Sequence, residues 1–198
     1  SGQTCIAPDY LFVNERVKDH LISALKGEIV KMYGEHPSDN PDYPKIISLK
    51  AFDRIERLIA GSTILFGGKC TKEKQSVEPT LIESSLTDPV MQEEIFGPLL
   101  PIISYTELNT VIHYINSKEK PLAIYYFSKD SKKQRKVIYE TSSGACIIND
   151  VVLHIANKNL PFGGVGASGI GRYHGYESFK AFSNMKAVMK SGTLIDLT

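Results

Sequence analysis

Cys5 is the first strong nucleophile in the sequence, and it directly follows the short stretch SGQT. A thiolate adds readily to a carbonyl carbon, and the adduct divides one difficult reaction into two easier steps. Because a thiol of ordinary pKa is mostly protonated near neutral pH, a reactive cysteine needs an electropositive setting. Gly2 permits a close approach of backbone, and N–H groups near Cys5 can stabilise both the thiolate and an oxyanion. These residues predict a nucleophile, with a buried structural thiol as the alternative.

The other thiols and the histidines carry less information. Cys70 and Cys146 lie in runs that are typical of strands, so we interpret them as core thiols. Three cysteines without C-x-x-C spacing argue against a disulfide framework and favour a reducing, intracellular setting. The five histidines are scattered, and the sequence therefore predicts no metal site.

A glycine motif near the C-terminus does not fit a dinucleotide-binding turn. Gly164, Gly166 and Gly169 satisfy G-x-G-x-x-G. Such a turn needs a strand just before it, a helix just after it, and an acidic residue about 20 positions further on. Pro161 and Phe162 precede the glycines, and no acidic residue lies at that distance. We predict instead that this loop brings its backbone close to another segment.

Short strands and helices alternate along the chain, which predicts an α/β fold with a mainly parallel sheet covered by helices. The predicted strands are YLFV, STILFGG, VEPTLIES, PLLPIISY, LAIYYFS and GACIIND. The predicted helices are RVKDHLISALKGEIVKMYG capped by Asn14, LKAFDRIERLIAG ended by Gly61, TELNTVIHYINS capped by Thr106, SKKQRKVIYETSS, and SFKAFSNMKAV. We assign residues 1–185 to one domain and residues 186–198 to a C-terminal strand or tail that pairs with another domain or subunit.

The composition is that of a globular protein of 198 residues, with 42% hydrophobic and 23% charged residues. A formal net charge of +1 gives no bulk attraction to nucleic acid or to an anionic membrane. No apolar run reaches the roughly 18 residues that would cross a bilayer. The sequence lacks an initiating Met and starts inside what looks like a motif, so we expect a piece of a longer protein.

Three stretches together resemble the aldehyde dehydrogenase superfamily, in particular its class 3 and fatty aldehyde dehydrogenase branch. They are GQTC at 2–5, QEEIFGPLLPI at 92–102 and NDVVLHIANKNLPFGGVGASGIGRYHG at 149–175. The motif APDY just after the cysteine and the YHG that ends the third stretch indicate the branch. The resemblance covers essentially the whole chain and corresponds to the C-terminal, catalytic part of such an enzyme.

The resemblance implies a reaction in which medium- or long-chain aliphatic or aromatic aldehydes become carboxylic acids. Cys5 would add to the carbonyl to give a thiohemiacetal, hydride would pass to NAD or NADP, and water would cleave the resulting thioester. It also implies a homodimer for the full-length protein, and a place in lipid metabolism. The parent protein would be intracellular, either cytoplasmic or associated with an organelle membrane.

The resemblance also implies roles for four further residues. Glu94 would accept hydrogen bonds from the hydroxyls of the nicotinamide-side ribose, and Phe96 would pack near the same end of the cofactor. Without the resemblance, Glu94 would be a glutamate at a helix end and Phe96 a core residue. Phe162 would line the aldehyde channel, and His174 would face the same pocket.

Three parts of the family's machinery precede the cysteine: the glutamate that acts as general base, the asparagine of the oxyanion hole, and the dinucleotide-binding domain. None lies within residues 1–198, so we expect this chain to be inactive on its own. Two alternatives remain open. A cysteine hydrolase or acyl-transfer enzyme would need a histidine base, and no histidine is near Cys5 in sequence. A non-catalytic oligomerisation fragment is favoured only by the unpaired tail.

Overall fold

The computed structural model describes residues 1–192, and the chain divides into two compact units, Ser1–Lys118 and Glu119–Thr198. The C-terminal strand that the sequence predicts within 186–198 falls partly outside the described residues. Residues 186–192 form neither a strand nor a helix. The domain boundaries taken from the sequence therefore stay predictions.

The first unit is built on a four-stranded sheet. Its strands are β1 (Leu11–Asn14), β2 (Thr63–Phe66), β3 (Cys70–Thr71), β4 (Ser76–Val77), β5 (Thr80–Glu83) and β6 (Leu99–Tyr105), and its helices are α1 (Lys18–Tyr33), α2 (Leu49–Ala60) and α3 (Leu108–Ser117). The sheet order is β1-β6-β5-β2, and β3 pairs with β4 in a separate ribbon. Because β1 and β5 both run parallel to β6 while β2 is antiparallel, the prediction of a mainly parallel sheet is confirmed.

Helices cover both faces of this sheet. Leu81 and Ile82 are neighbours in β5 and therefore point to opposite faces. Ile82 belongs to a buried cluster with Phe52 and Ile55 of α2, whereas Leu81 packs with Ile22 of α1. Burial of these large apolar side chains stabilises the unit by about 1.5–3 kcal/mol for each.

The first two helices end where the sequence predicts, but α1 begins at Lys18 rather than at Arg16, and the cap predicted at Thr106 was wrong. The Ser48 hydroxyl accepts a hydrogen bond from the Ala51 N–H at 3.2 Å and begins α2. Asn14 caps the short 3₁₀ turn that leads into α1. Thr106 does not cap α3, because that helix begins one residue later and Glu107 holds the cap position. The Thr106 carbonyl instead accepts a hydrogen bond from the Asn14 side chain at 3.2 Å.

Within residues 119–192, the second unit contains one strand pair and two α-helices, besides short 3₁₀ turns. The strands β7 (Ala123–Tyr126) and β8 (Ala145–Ile148) are parallel, and the helices are α4 (Ser131–Glu140) and α5 (Gly175–Ala181). The helix predicted over SFKAFSNMKAV was wrong beyond Ala181. Phe182 and Met185 are 94% and 83% exposed, so no packing extends the helix through them.

The glycine-rich loop packs closely on its own backbone, and its predicted approach to another segment occurs at Gly144, where an added methyl group would lie less than 3.0 Å from the Gly163 carbonyl oxygen. A methyl group placed on Gly164 would lie less than 3.0 Å from the Ser168 carbonyl oxygen, and one on Gly163 would similarly meet Gly171. Phe162 and Tyr173 exchange backbone hydrogen bonds of 2.8 and 2.9 Å across the loop. The glycines thus serve close packing of the chain against itself.

Candidate active site

Cys5 lies on a tight turn of residues 2–7, here called the cysteine turn. The Ala7 N–H donates to the Thr4 carbonyl at 2.9 Å, which closes the turn around the thiol. Cys5 is exposed, while the next residue, Ile6, is only 3% exposed. The buried isoleucine fixes the turn and leaves the sulfur on the surface, so the alternative of a buried structural thiol was wrong.

Gln3 ties the cysteine turn to the segment that leads into α2, a contact that the sequence did not predict. Its side-chain amide donates to the Lys45 carbonyl at 2.9 Å. Its side-chain carbonyl accepts from the Ile47 N–H at 2.9 Å. One glutamine side chain therefore pairs with the backbone much as a neighbouring strand would, and it holds the turn in place.

The backbone of the cysteine turn touches the loop of residues 92–98, here called the Glu94 loop. A methyl group on Gly2 would lie less than 3.0 Å from the Gly97 carbonyl oxygen. Gly2 also has φ 71°, in the left-handed region that favours glycine. The prediction that Gly2 allows a close backbone approach is confirmed, and this approach joins the segments that carry Cys5 and Glu94.

The Glu94 loop presents two side chains and buries the residue between them. Ile95 is 1% exposed and packs in the same core cluster as α2, whereas Phe96 is 42% exposed and Glu94 is exposed. The loop is not helical, since the preceding 3₁₀ turn covers only Pro89–Met91. The alternatives of a helix-end Glu94 and a core Phe96 were therefore wrong.

Two charged side chains bind the backbone of this loop. The Asp9 carboxylate accepts a hydrogen bond from the Ile95 N–H at 2.9 Å. The Arg54 guanidinium donates to the Glu94 carbonyl at 3.3 Å and to the Ile95 carbonyl. The main chain around Ile95 is thus held from both sides.

The carboxylate of Glu94 makes no hydrogen bond or ion pair with the residues that the structure describes, in contrast to its neighbour Glu93, which pairs with Arg54 at 3.4 Å. Partial burial raises the pKa of Glu94, the charge of Asp9 raises it further, and Arg54 opposes both. An exposed acceptor without a partner, next to the exposed ring of Phe96, fits the hydroxyls and the flat base of a nucleotide.

The environments of the remaining two thiols disfavour the reactive thiolate form. Burial, together with the nearby Glu56 and Glu78 carboxylates, raises the pKa of Cys70 to about 11. Burial also raises the pKa of Cys146. Both side chains are half-buried, in agreement with their interpretation as core thiols.

Alkylation distinguishes the three thiols directly. At pH 8 we expect iodoacetamide to modify Cys5 about tenfold or more faster than Cys70, because the reagent reacts with exposed thiolate. Peptide mass spectrometry over a time course measures the three rates in one sample, and Cys146 serves as a second internal reference. Equal rates at the three positions would contradict a special reactivity of Cys5.

In the second unit, the structure brings Phe162 and His174 together. Phe162 is 8% exposed, and its ring stacks on His174 with centroids 5.5 Å apart and an interplanar angle of 22°. His154, which the sequence did not single out, lies at 5.9 Å from the same phenylalanine. Its two ring nitrogens are buried without a hydrogen-bond partner in the described part of the chain, and burial lowers its pKa. Phe162 is therefore the centre of an aromatic and histidine cluster.

Residues 1–192 contain neither a candidate metal site nor a candidate membrane-spanning helix. No three side chains of His, Cys, Asp or Glu in this range are grouped as a metal site requires. None of the helices in the same range combines the length and the apolar character needed to span a membrane.

The chain is similar to known proteins over nearly all its length. The family model that matches residues 1–188 is that of the aldehyde dehydrogenase family. The chain is 45% identical to 4,4'-diaponeurosporen-aldehyde dehydrogenase of Staphylococcus aureus, over 99% of this chain and 43% of that protein. It is also 45% identical to aldehyde dehydrogenase family 3 member A2 of Rattus norvegicus, over 96% of this chain and 40% of the relative.

Solved structures agree. The substrate-bound state of Staphylococcus aureus AldH superposes with a TM-score of 0.91 and 43% identity, covering 98% of this chain and 44% of that one. GapN of Methanocaldococcus jannaschii, solved with NADP, gives a TM-score of 0.81 at 29% identity, over 93% of this chain and 41% of that one. The chain thus spans less than half the length of these relatives. Because the family match runs through the cysteine turn, the Glu94 loop and the aromatic cluster alike, this chain belongs to the aldehyde dehydrogenase family, among its class 3 relatives.

Proposed function

We propose that this chain is the catalytic part of an NAD(P)-dependent aldehyde dehydrogenase that oxidises apolar aldehydes, of medium or long chain or aromatic, to carboxylic acids. The observation that carries the proposal is the backbone contact of Gly2 with Gly97. It places the turn that bears an exposed thiol against the loop that bears a free carboxylate. Nucleophile and cofactor-binding groups need this kind of proximity, since hydride transfer requires the reacting atoms in contact.

Cys5 acts as the nucleophile in this scheme. Its thiolate bonds to the carbonyl carbon of the aldehyde, and the carbonyl oxygen takes the negative charge as the carbon becomes tetrahedral. When bound, NAD(P) would supply the acceptor for the hydride that this carbon loses as the carbonyl re-forms. The acyl group then remains on the Cys5 sulfur as a thioester, and water releases it as the acid while the thiol is restored.

Glu94 and Phe96 orient the cofactor. The Glu94 carboxylate would accept hydrogen bonds from the two ribose hydroxyls on the nicotinamide side, and the Phe96 ring would pack beside them. The loop is suited to this task because its backbone is bound by Asp9 and Arg54, which leaves the Glu94 carboxylate available to a ligand. A fixed carboxylate that binds the ribose positions the nicotinamide ring without touching the reactive face of that ring.

The aldehyde side of the proposal rests on the second unit. Phe162 stacks on His174 and contacts His154 at a tilted angle, and this group of rings suits an apolar chain better than a charged one. One relative is named for 4,4'-diaponeurosporen-aldehyde, and another is named a dimeric, NADP-preferring enzyme. By analogy we propose an apolar aldehyde substrate, a role in lipid metabolism and a homodimer for the protein as encoded. We also propose that it works inside the cell, in the cytoplasm or at an organelle membrane.

The same proposal includes the expectation that residues 1–198 alone do not turn over aldehyde with NAD(P). The basis is that the chain matches 43% of its Staphylococcus aureus relative, and that the family resemblance implies a general base and an oxyanion asparagine upstream of Cys5. The activity measurements below therefore use the protein as encoded.

Changing Glu94 to Gln tests the cofactor site. We expect the KM for NAD(P) to rise about 10- to 100-fold, because two hydrogen bonds to a charged acceptor become bonds to a neutral one. The matched control is Glu93→Gln on the adjacent residue, whose carboxylate is engaged by Arg54. Steady-state kinetics at saturating aldehyde, with the cofactor Kd from calorimetry, measure both variants. An unchanged KM in Glu94→Gln would remove the role assigned to this residue.

A further inference from the structure

Asp9 links the two halves of the candidate site within the first unit. It lies four residues after Cys5, and its carboxylate accepts the Ile95 N–H at 2.9 Å. The two bonded residues are 86 positions apart in sequence. A buried backbone N–H is normally paired within a sheet or helix. Here the acceptor is instead the side chain of Asp9, which lies just after the cysteine turn.

Burying a charged carboxylate at this position costs solvation free energy. Asp9 is half-buried, and burial raises its pKa more than the Ile95 hydrogen bond and Arg54 lower it. Its charge also faces Glu94, whose pKa it raises. A neutral acceptor such as asparagine would satisfy the Ile95 N–H without either cost. The contact itself requires only an acceptor oxygen opposite the Ile95 N–H.

We propose that Asp9 is a positioning residue for cofactor binding: with Arg54 it clamps the Ile95 backbone and so holds the Glu94 carboxylate at a fixed distance from Cys5. This inference rests on the proposed function, because it assumes that Glu94 binds the cofactor. Arg54 supplies the opposite half of the clamp through the carbonyls of Glu94 and Ile95. The positive charge of Arg54 also lowers the pKa of Asp9, so the two groups that bind this loop attract each other.

Hydrogen exchange tests the clamp independently of catalysis. In the protein as encoded, we expect Asp9→Ala to speed exchange in a peptide covering residues 92–98 about tenfold, because the Ile95 N–H loses its acceptor. A peptide from β6, residues 100–105, should exchange at its original rate. Asp9→Asn should restore most of the protection, since its side-chain oxygen can still accept. An unchanged rate in 92–98, or an equal increase in both peptides, would overturn the clamp.

A double-mutant cycle tests positioning against a general structural role. Asp9→Ala should raise the KM for NAD(P) about tenfold with a smaller change in kcat, and it should have no further effect in the Glu94→Gln background. Additive effects in the cycle would overturn the proposal. If Glu94→Gln alone leaves KM unchanged, the proposed function of Glu94 fails, and the exchange measurement still decides the contact of Asp9 with Ile95.

Discussion

Replacing Cys5 with serine should reduce aldehyde oxidation by the encoded protein about 1000-fold or more, because the hydroxyl is a far weaker nucleophile near neutral pH. Cys5 is exposed on a turn fixed by the buried Ile6, so the exchange of sulfur for oxygen removes the reacting atom and leaves the fold intact. The measurement is kcat/KM from NAD(P)H absorbance, with thermal unfolding recorded for the same sample.

Cys146→Ser is the matched control for this variant. That thiol is half-buried in β8, and we expect activity within about twofold of the original. Retention of a tenth or more of the activity in Cys5→Ser would contradict the assignment. If the encoded protein cleaves an ester through Cys5 but reduces no nucleotide with any aldehyde, the hydrolase or acyl-transfer alternative would replace the oxidoreductase.

Gly2→Ala should lower kcat/KM about 100-fold, since a displacement of about 1 Å in a reacting group has an effect of that size. The added methyl group would lie less than 3.0 Å from the Gly97 carbonyl oxygen, so the cysteine turn and the Glu94 loop must move apart. The positive φ of Gly2 adds roughly 1–2 kcal/mol of backbone strain. Kinetics and chemical unfolding together measure the two consequences.

Two other glycines of the first unit serve as controls, because they separate the effect of a steric collision from the effect of backbone strain. Gly34 has φ 80° with nothing within 4 Å of its added methyl group, so Gly34→Ala should cost about 1–3 kcal/mol of stability and leave kcat/KM unchanged. Gly27 lies inside α1 with open space around it, and Gly27→Ala should stabilise the protein by about 0.5–1 kcal/mol. Equal losses of activity in Gly2→Ala and Gly34→Ala would show that the backbone contact has no special importance.

Local patterns were sufficient to predict the elements that position the site. The apolar spacing of LKAFDRIERLIA and the glycine after it predict α2 together with its last residue. The alternation of strands and helices predicts the layered architecture. VEPTLIES, however, is two short strands on either side of Pro79, because proline has no N–H to donate to a ladder.

The contacts that assemble the site were beyond a single sequence. Gln3 bonds to Lys45 across 42 positions, and Asp9 bonds to Ile95 across 86. Neither pair lies within one helix or hairpin, so no local periodicity marks it. The early end of α5 has the same origin, since helical spacing predicts a helix only where another surface buries its apolar face.

The parallel pairing of β1 with β6 has a consequence for how this region can vary. The cysteine turn enters β1 and the Glu94 loop enters β6, and Leu11 stands opposite Ile102. Both segments therefore arrive at one and the same rim of the sheet. Even a single residue inserted between Cys5 and Leu11 would rotate the thiol away from its partner loop, while the chain leaving these strands at the far rim is free to lengthen. Insertions before these two strands are therefore expected to disturb the site more than insertions after them.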